Sequence, residues 1–170
     1  MKKLFVLIPA LCFTLNLATA QDPFKLPEIT DAAKWQHMAF QANGLMVNTI
    51  NYAKSLGKTV EEAARFTGEQ FKTSWDKEAG FNGFVNGMLY INTCFFPQST
   101  LEIMDQSATA VKFSVDLPAG FMESFPIYSI TLEEYLEFWE GIVVIVGDYL
   151  GAVYAHELKD HLLTVTIKKK

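Results

Sequence analysis

A chain of 170 residues that is 50% hydrophobic and 14% aromatic carries enough apolar matter for one folded domain with a sizeable core. Its formal charge of −5 argues against a nucleic-acid or anionic-lipid surface, because either needs a basic face and the one basic cluster is Lys168 to Lys170. The expectation is no nucleic-acid partner.

Residues 1–20 have the form of a secretory signal peptide, with Lys2 and Lys3 as a charged start, a largely apolar run from Leu4 to Leu17, and Ala18-Thr19-Ala20 as a small-residue cleavage site. Cleavage after Ala20 would send the product to the periplasm or outside the cell, starting at Gln21 with a formal charge of −7 once the two lysines are gone. Cys12 would leave with the signal. Cys94 would then be the only cysteine, so no internal disulfide is expected, and its apolar setting in INTCFF suits a small buried hydrophobe.

Residues 21–29 hold two prolines and read as an extended lead-in to a single globular domain over 30–168. Thr30 or Asp31 can cap a helix running to Leu56, with Gly57 as its stop. Its expected buried stripe is Trp35, Met38, Ala39, Ala42, Leu45, Met46, Ile50 and Ala53. The other side is rich in amides (Gln36, Gln41, Asn43, Asn48, Asn51), which read as solvated groups or as the polar wall of a pocket.

Thr59 and Glu62 form a capping box, so a second helix is expected from there to Lys77, antiparallel to the first across a short link. Residues 82–94 then predict a shorter buried helix, with a strand as the alternative, ended by Pro97. Strands are expected over 101–105 and 109–117. The second alternates cleanly, with Val111, Phe113, Val115 and Leu117 on one face and Lys112, Ser114 and Asp116 on the other. Residues 118–129 form a loop whose Phe121, Met122, Phe125 and Tyr128 are too apolar to be solvated, which predicts a flap over the core.

Thr131 and Glu134 make a second capping box, and apolar residues at helical spacing from Leu132 to Val153 predict one long helix over 131–158. It starts amphipathic and becomes apolar nearly all round. It cannot span a membrane, because only seven residues, Gly141 to Gly147, separate Glu140 from Asp148. Residues 162–168 alternate again as a last strand. The fold class that follows is α+β: a helical N-terminal half, then a small, mainly antiparallel three-stranded sheet with the long helix on one face, in the order α-α-α-β-β-α-β.

Over residues 31–168 this order resembles that of the small ligand-binding α+β domains that include the vinyl-reductase-like domains and the TRAPP subunits. The resemblance implies an apolar pocket between helices and sheet. It carries over no site residue, because no motif of that group, and no cysteine cluster for a metal, occurs here.

Chemistry-bearing constellations are sparse. His156 and His161 are five positions apart, one too many for the zinc-binding H-E-x-x-H, so no metal is expected. No nucleophile elbow, phosphate loop or haem-attachment pattern is present, and no cofactor is expected. Asp148, Cys94 and His156 stand as the catalytic candidates if the chain is a small-molecule hydrolase. The first expectation is instead a non-catalytic domain that binds a small apolar or amphipathic ligand between the long helix and the 118–129 loop. Phe121, Phe125, Trp139 and Tyr149 are the candidate lining, and Gly147 and Gly151 the positions of close approach. A protein-binding module using the same loop is the third reading.

Overall fold

The computed structural model describes residues 29–123 and 128–170. The expected signal peptide, nearly all of the lead-in, and Phe125 lie outside the described residues. Four principal helices and four strands follow one another as α1 (Asp31–Ser55), α2 (Val60–Phe71), α3 (Gly80–Phe95), β1 (Leu101–Gln106), β2 (Ala110–Asp116), a single turn α4 (Ala119–Met122), α5 (Leu132–Tyr149), β3 (Ala152–Lys159) and β4 (Leu162–Lys169). The class is α+β, with a helical first half followed by a sheet carrying one long helix.

Both capping boxes are formed. Thr59 accepts from the amide of Glu62 at 3.1 Å while the Glu62 carboxylate accepts from the amide of Thr59 at 3.0 Å. The pair Thr131 and Glu134 repeats this at 3.1 and 2.9 Å. Each box satisfies two amides that a helix start leaves without internal acceptors, which fixes where α2 and α5 begin. Thr30 caps α1 through the amide of Ala33.

Two helices end or turn differently from the sequence expectation. α2 stops at Phe71, and two single 3-10 turns, Lys72–Ser74 and Lys77–Ala79, lead to α3 at Gly80. α1 is rolled by roughly 60° about its axis, at 100° per residue. Its buried residues are Ala39, Val47, Ile50 and Ala53, whereas Trp35, Met38 and Leu45 of the expected stripe are exposed. Two apolar stripes overlap on this helix at Ala39, Ile50 and Ala53, and the core takes the one that adds the β-branched Val47.

The larger correction is at the C-terminal end of α5. The helix ends at Tyr149, not Leu158, and Gly151 adopts φ +74, the left-handed conformation that closes a helix and that glycine reaches without strain. Residues 152–159 are a strand with alternating burial. Ala152, Tyr154, His156 and Leu158 turn inward, and Val153, Ala155, Glu157 and Lys159 turn out. Asp160 and His161 form the two-residue turn to β4, with Lys159 opposite Leu162. The sheet therefore has four strands in the order β1-β2-β4-β3, all neighbours antiparallel. The handedness rule for parallel crossovers does not apply to it. The element order therefore gains a strand and ends in a β3–β4 hairpin.

The inner face of the sheet, with Phe113, Val115, Leu163, Val165 and Ile167 fully or almost fully buried, is covered by α5, and α2 packs on α5 from outside. Small residues set that helix crossing. A Cβ on Gly141 would lie 2.6 Å from the Ala64 Cβ, and one on Gly68 would lie 2.9 Å from Ile145 and 3.2 Å from the Cα of Ile142. α1 and α3 complete the helical layer, and no described helix is long and apolar enough to cross a membrane.

Candidate functional site

An apolar concavity lies between α1, the chain leaving α3, and the segment after β2. Its volume is about 220 Å³. α1 contributes Gln36, Phe40, Asn43, Gly44 and Val47; the end of α3 and the following turn contribute Phe95, Phe96 and Gln98; and Pro118, Phe121 and Tyr128 close the third side.

The cleft walls are held by polar groups that finish off backbone ends. The last carbonyls of a helix have no acceptor role within it, and at the end of α3 two of them are taken up by α1. The Trp35 indole donates to the carbonyl of Cys94 at 3.2 Å, and the Asn43 amide donates to that of Phe95 at 3.2 Å and to its own helix at Ala39. Tyr135, buried beneath the cleft on α5, donates its hydroxyl to the Asn43 side-chain oxygen. Burial pushes the Tyr135 phenol far above its ordinary range, so it remains a protonated donor. Asn51 donates to the carbonyl of Tyr128 at 2.8 Å and fastens the far end of the segment to α1. Part of the amide-rich side of α1 is thus a wall, and the rest of its polarity is used to hold neighbouring chain.

Phe121 sits at the floor, its ring edge-on to Phe96 at 5.0 Å and to Tyr135 at 5.6 Å between centroids. Gly44 is the other informative residue. A Cβ built there meets nothing within 4 Å, so this helix-interior glycine answers no packing need and leaves the cleft wall low. Gly44, Phe40 and Phe96 were not singled out by sequence reasoning. The signal that could have found Gly44 is its position inside an otherwise well-formed helix.

The remaining candidates are dispersed. Trp139 is partly buried against Phe95 at 5.4 Å, behind the cleft and not in its wall. Tyr149 carries the Lys77 ammonium 5.3 Å above its ring. A Cβ on Gly147 would lie 3.1 Å from the Phe84 ring and 3.3 Å from the carbonyl of Ala152, so its close approach is to core and backbone, and Gly151 is the turn already described. Among the lining candidates named from sequence, Phe121 alone borders the cleft, Phe125 being outside the described residues.

The hydrolytic candidates likewise have separate surroundings. Asp148 is exposed and paired with Lys170 at 2.7 Å. Cys94 lies near the end of α3 with its thiol beside Tyr90. His156 is nearly buried under α5, its Nδ1 3.9 Å from a Glu140 carboxylate oxygen, with the Tyr154 ring 5.9 Å away. Burial holds the His156 pKa below the usual imidazole value, and Glu140 offsets part of that. The neighbouring Tyr154 phenol is pushed up by burial; the Trp139 indole approaches its hydroxyl without completing a hydrogen bond. The described residues contain no cluster of three or more His, Cys, Asp or Glu able to hold a metal ion.

No family model matches the chain, and no curated protein matches it.

Proposed function

We propose that this chain is an exported, non-catalytic domain that binds one small, uncharged apolar ligand, or the apolar part of an amphipathic one, in the cleft between α1, the end of α3, and Pro118, Phe121 and Tyr128. The export half rests on Lys2, Lys3, the apolar run and Ala18-Thr19-Ala20. The binding half rests on one observation above the others: the described lining is apolar and aromatic with a few amides, and none of its side chains is Asp, Glu, Lys, Arg, His or Cys. Such a wall offers shape, ring contacts and a few hydrogen bonds. Its described lining offers no carboxylate, imidazole, amine or thiol, which separates it from a hydrolase built on Asp148, Cys94 or His156. Its volume of about 220 Å³ lies under the range of roughly 300–1,000 Å³ that holds drug-sized molecules, so the occupant is a single ring or a short chain.

The test uses 4-fluorotoluene, a neutral single-ring probe followed by its fluorine NMR signal. The wild type should bind it saturably at one site, and Gly44→Leu, which fills the cleft from an unobstructed position, should abolish binding with the melting temperature unchanged or raised. A wild type that shows no saturable binding, or a Gly44→Leu variant that binds as well as the wild type, would overturn the proposal.

A further inference from the structure

The face of α1 turned away from the cleft carries Trp35, Met38, Ala42, Leu45, Thr49, Tyr52 and Leu56, spaced alternately by three and four residues over three heptads. Met38, Leu45 and Tyr52 are 64%, 69% and 67% exposed, and Trp35 and Leu56 are also exposed. None of these residues lines the cleft. At about 150–250 Å² for each aromatic, the stripe offers several hundred Å² on one helix side, a large part of the roughly 800 Å² per partner in a standard interface.

We propose that this stripe is the interface between two copies of the chain, packed α1 against α1 about a two-fold axis. The three-four spacing is that of a seam meeting another helix, and a self-complementary stripe on one helix is what an isologous pair requires. The charge pattern selects the occupant. From Trp35 to Ala53 nineteen consecutive residues include no Asp, Glu, Lys or Arg. Two copies of a net-negative chain meet there without like-charge repulsion, whereas a strongly charged partner would find nothing to pair with. A helix lying in a membrane surface carries a basic polar face, and here Lys54 is already paired with Glu134 at 2.6 Å.

The seam can also be dried at little polar cost. The Trp35 indole is spent on the carbonyl of Cys94 and the Thr49 hydroxyl on that of Leu45 at 2.8 Å. On one flank Ala39 and Ala53 turn into the domain's own core, and on the other Gln41, Asn48 and Ser55 form a polar rim.

Sedimentation equilibrium of the purified chain over a concentration series decides it, with thermal melts at the same concentrations. The wild type should reach the dimer mass, and its melting temperature should rise with concentration. Leu45→Glu and Tyr52→Glu, at exposed positions, should each weaken the dimer by about 100-fold or more, because a carboxylate is then buried in the seam. Should either variant fail to fold, the wild-type concentration dependence still decides. The proposal is overturned by a wild type that stays monomeric throughout, by a folded Leu45→Glu variant that dimerises as the wild type does, or by a monomer that instead co-sediments with phosphatidylcholine vesicles.

Discussion

α5 and α1 are both long apolar helices with glycine inside, and they use it in opposite ways. In α5, Gly141 admits Ala64 of α2, and Gly147 admits Phe84 and the carbonyl of Ala152, so each missing side chain is replaced by another part of the chain. In α1, Gly44 faces open space beside the cleft. A glycine in an apolar helix therefore marks close approach, but only the neighbouring elements decide whether core or ligand does the approaching. α5 is enclosed by the sheet and α2, and α1 is packed along one side.

The strongest way to break this contrast is to add side chains at the two kinds of glycine. Gly141→Val should destabilise by about 3 kcal/mol, the upper part of the range for overpacking, because its Cβ alone would sit 2.6 Å from that of the fully buried Ala64. A denaturant midpoint within error of the wild type would show that α2 and α5 can separate there freely, and that the packed region is softer than described.

Next in size are the helix starts. Thr131→Ala and Thr59→Ala should each cost about 0.5–2 kcal/mol, and Thr131 should be the costlier of the two. Its box is tied into the tertiary structure, since Glu134 also receives Lys54 of α1 at 2.6 Å, and the Lys54 hydrogen bond is the main cause that lowers the Glu134 pKa. The box at Thr59 is local, with Glu62 paired to Lys58 of the same helix start at 3.1 Å. Equal losses measured by urea denaturation would mean that the tie to α1 contributes nothing.

The same contrast explains what was legible in the sequence. Local signals match the structure at both capping boxes, at the stop at Pro97 after Phe96, and in the alternation of 110–116 except at Ser114, which was expected on the wet face and is buried. The 150–158 segment was misread because Leu150 and Val153 continue the helical spacing of α5 while Ala152, Tyr154, His156 and Leu158 also alternate as a strand. Gly151, read as a point of close approach, was in fact the stop. The roll of α1 was not legible at all, because two apolar stripes share Ala39 and Ile50 and only the packing of the domain selects between them. The cleft was half legible: Phe121 and the amide-rich side of α1 pointed to it, but the wall between them comes from Phe95 and Phe96, more than 50 residues along the chain from Asn43.

A smaller effect of opposite sign is expected at Gly44. Gly44→Ala should stabilise by about 0.5–1 kcal/mol, because alanine gains helix propensity and its methyl group meets no atom within 4 Å. A loss of stability in a thermal melt would mean that the space beside Gly44 is filled, and the opposition between the two helices would fail.

The smallest effect is a difference in pH response between the two regions. His156, under α5, is held neutral by burial, so its folded pKa lies below its unfolded one. Between those two values the unfolded chain binds more protons, and stability must fall as pH falls through that window, starting near the ordinary imidazole value of about 6.5. Titratable groups facing it are Glu140 from α5, whose attraction for the protonated ring limits the loss, and Tyr154 from the same strand, which burial keeps protonated. His156→Gln should flatten the slope of stability between about pH 5 and pH 7. The cleft should behave differently, since its described lining contains no Asp, Glu or His. Saturable binding of the neutral probe should keep the same dissociation constant at both ends of the range, provided the chain remains folded. A binding constant that follows the acid limb of the stability curve, and loses that dependence in His156→Gln, would couple the two regions and replace the contrast with a single linked unit.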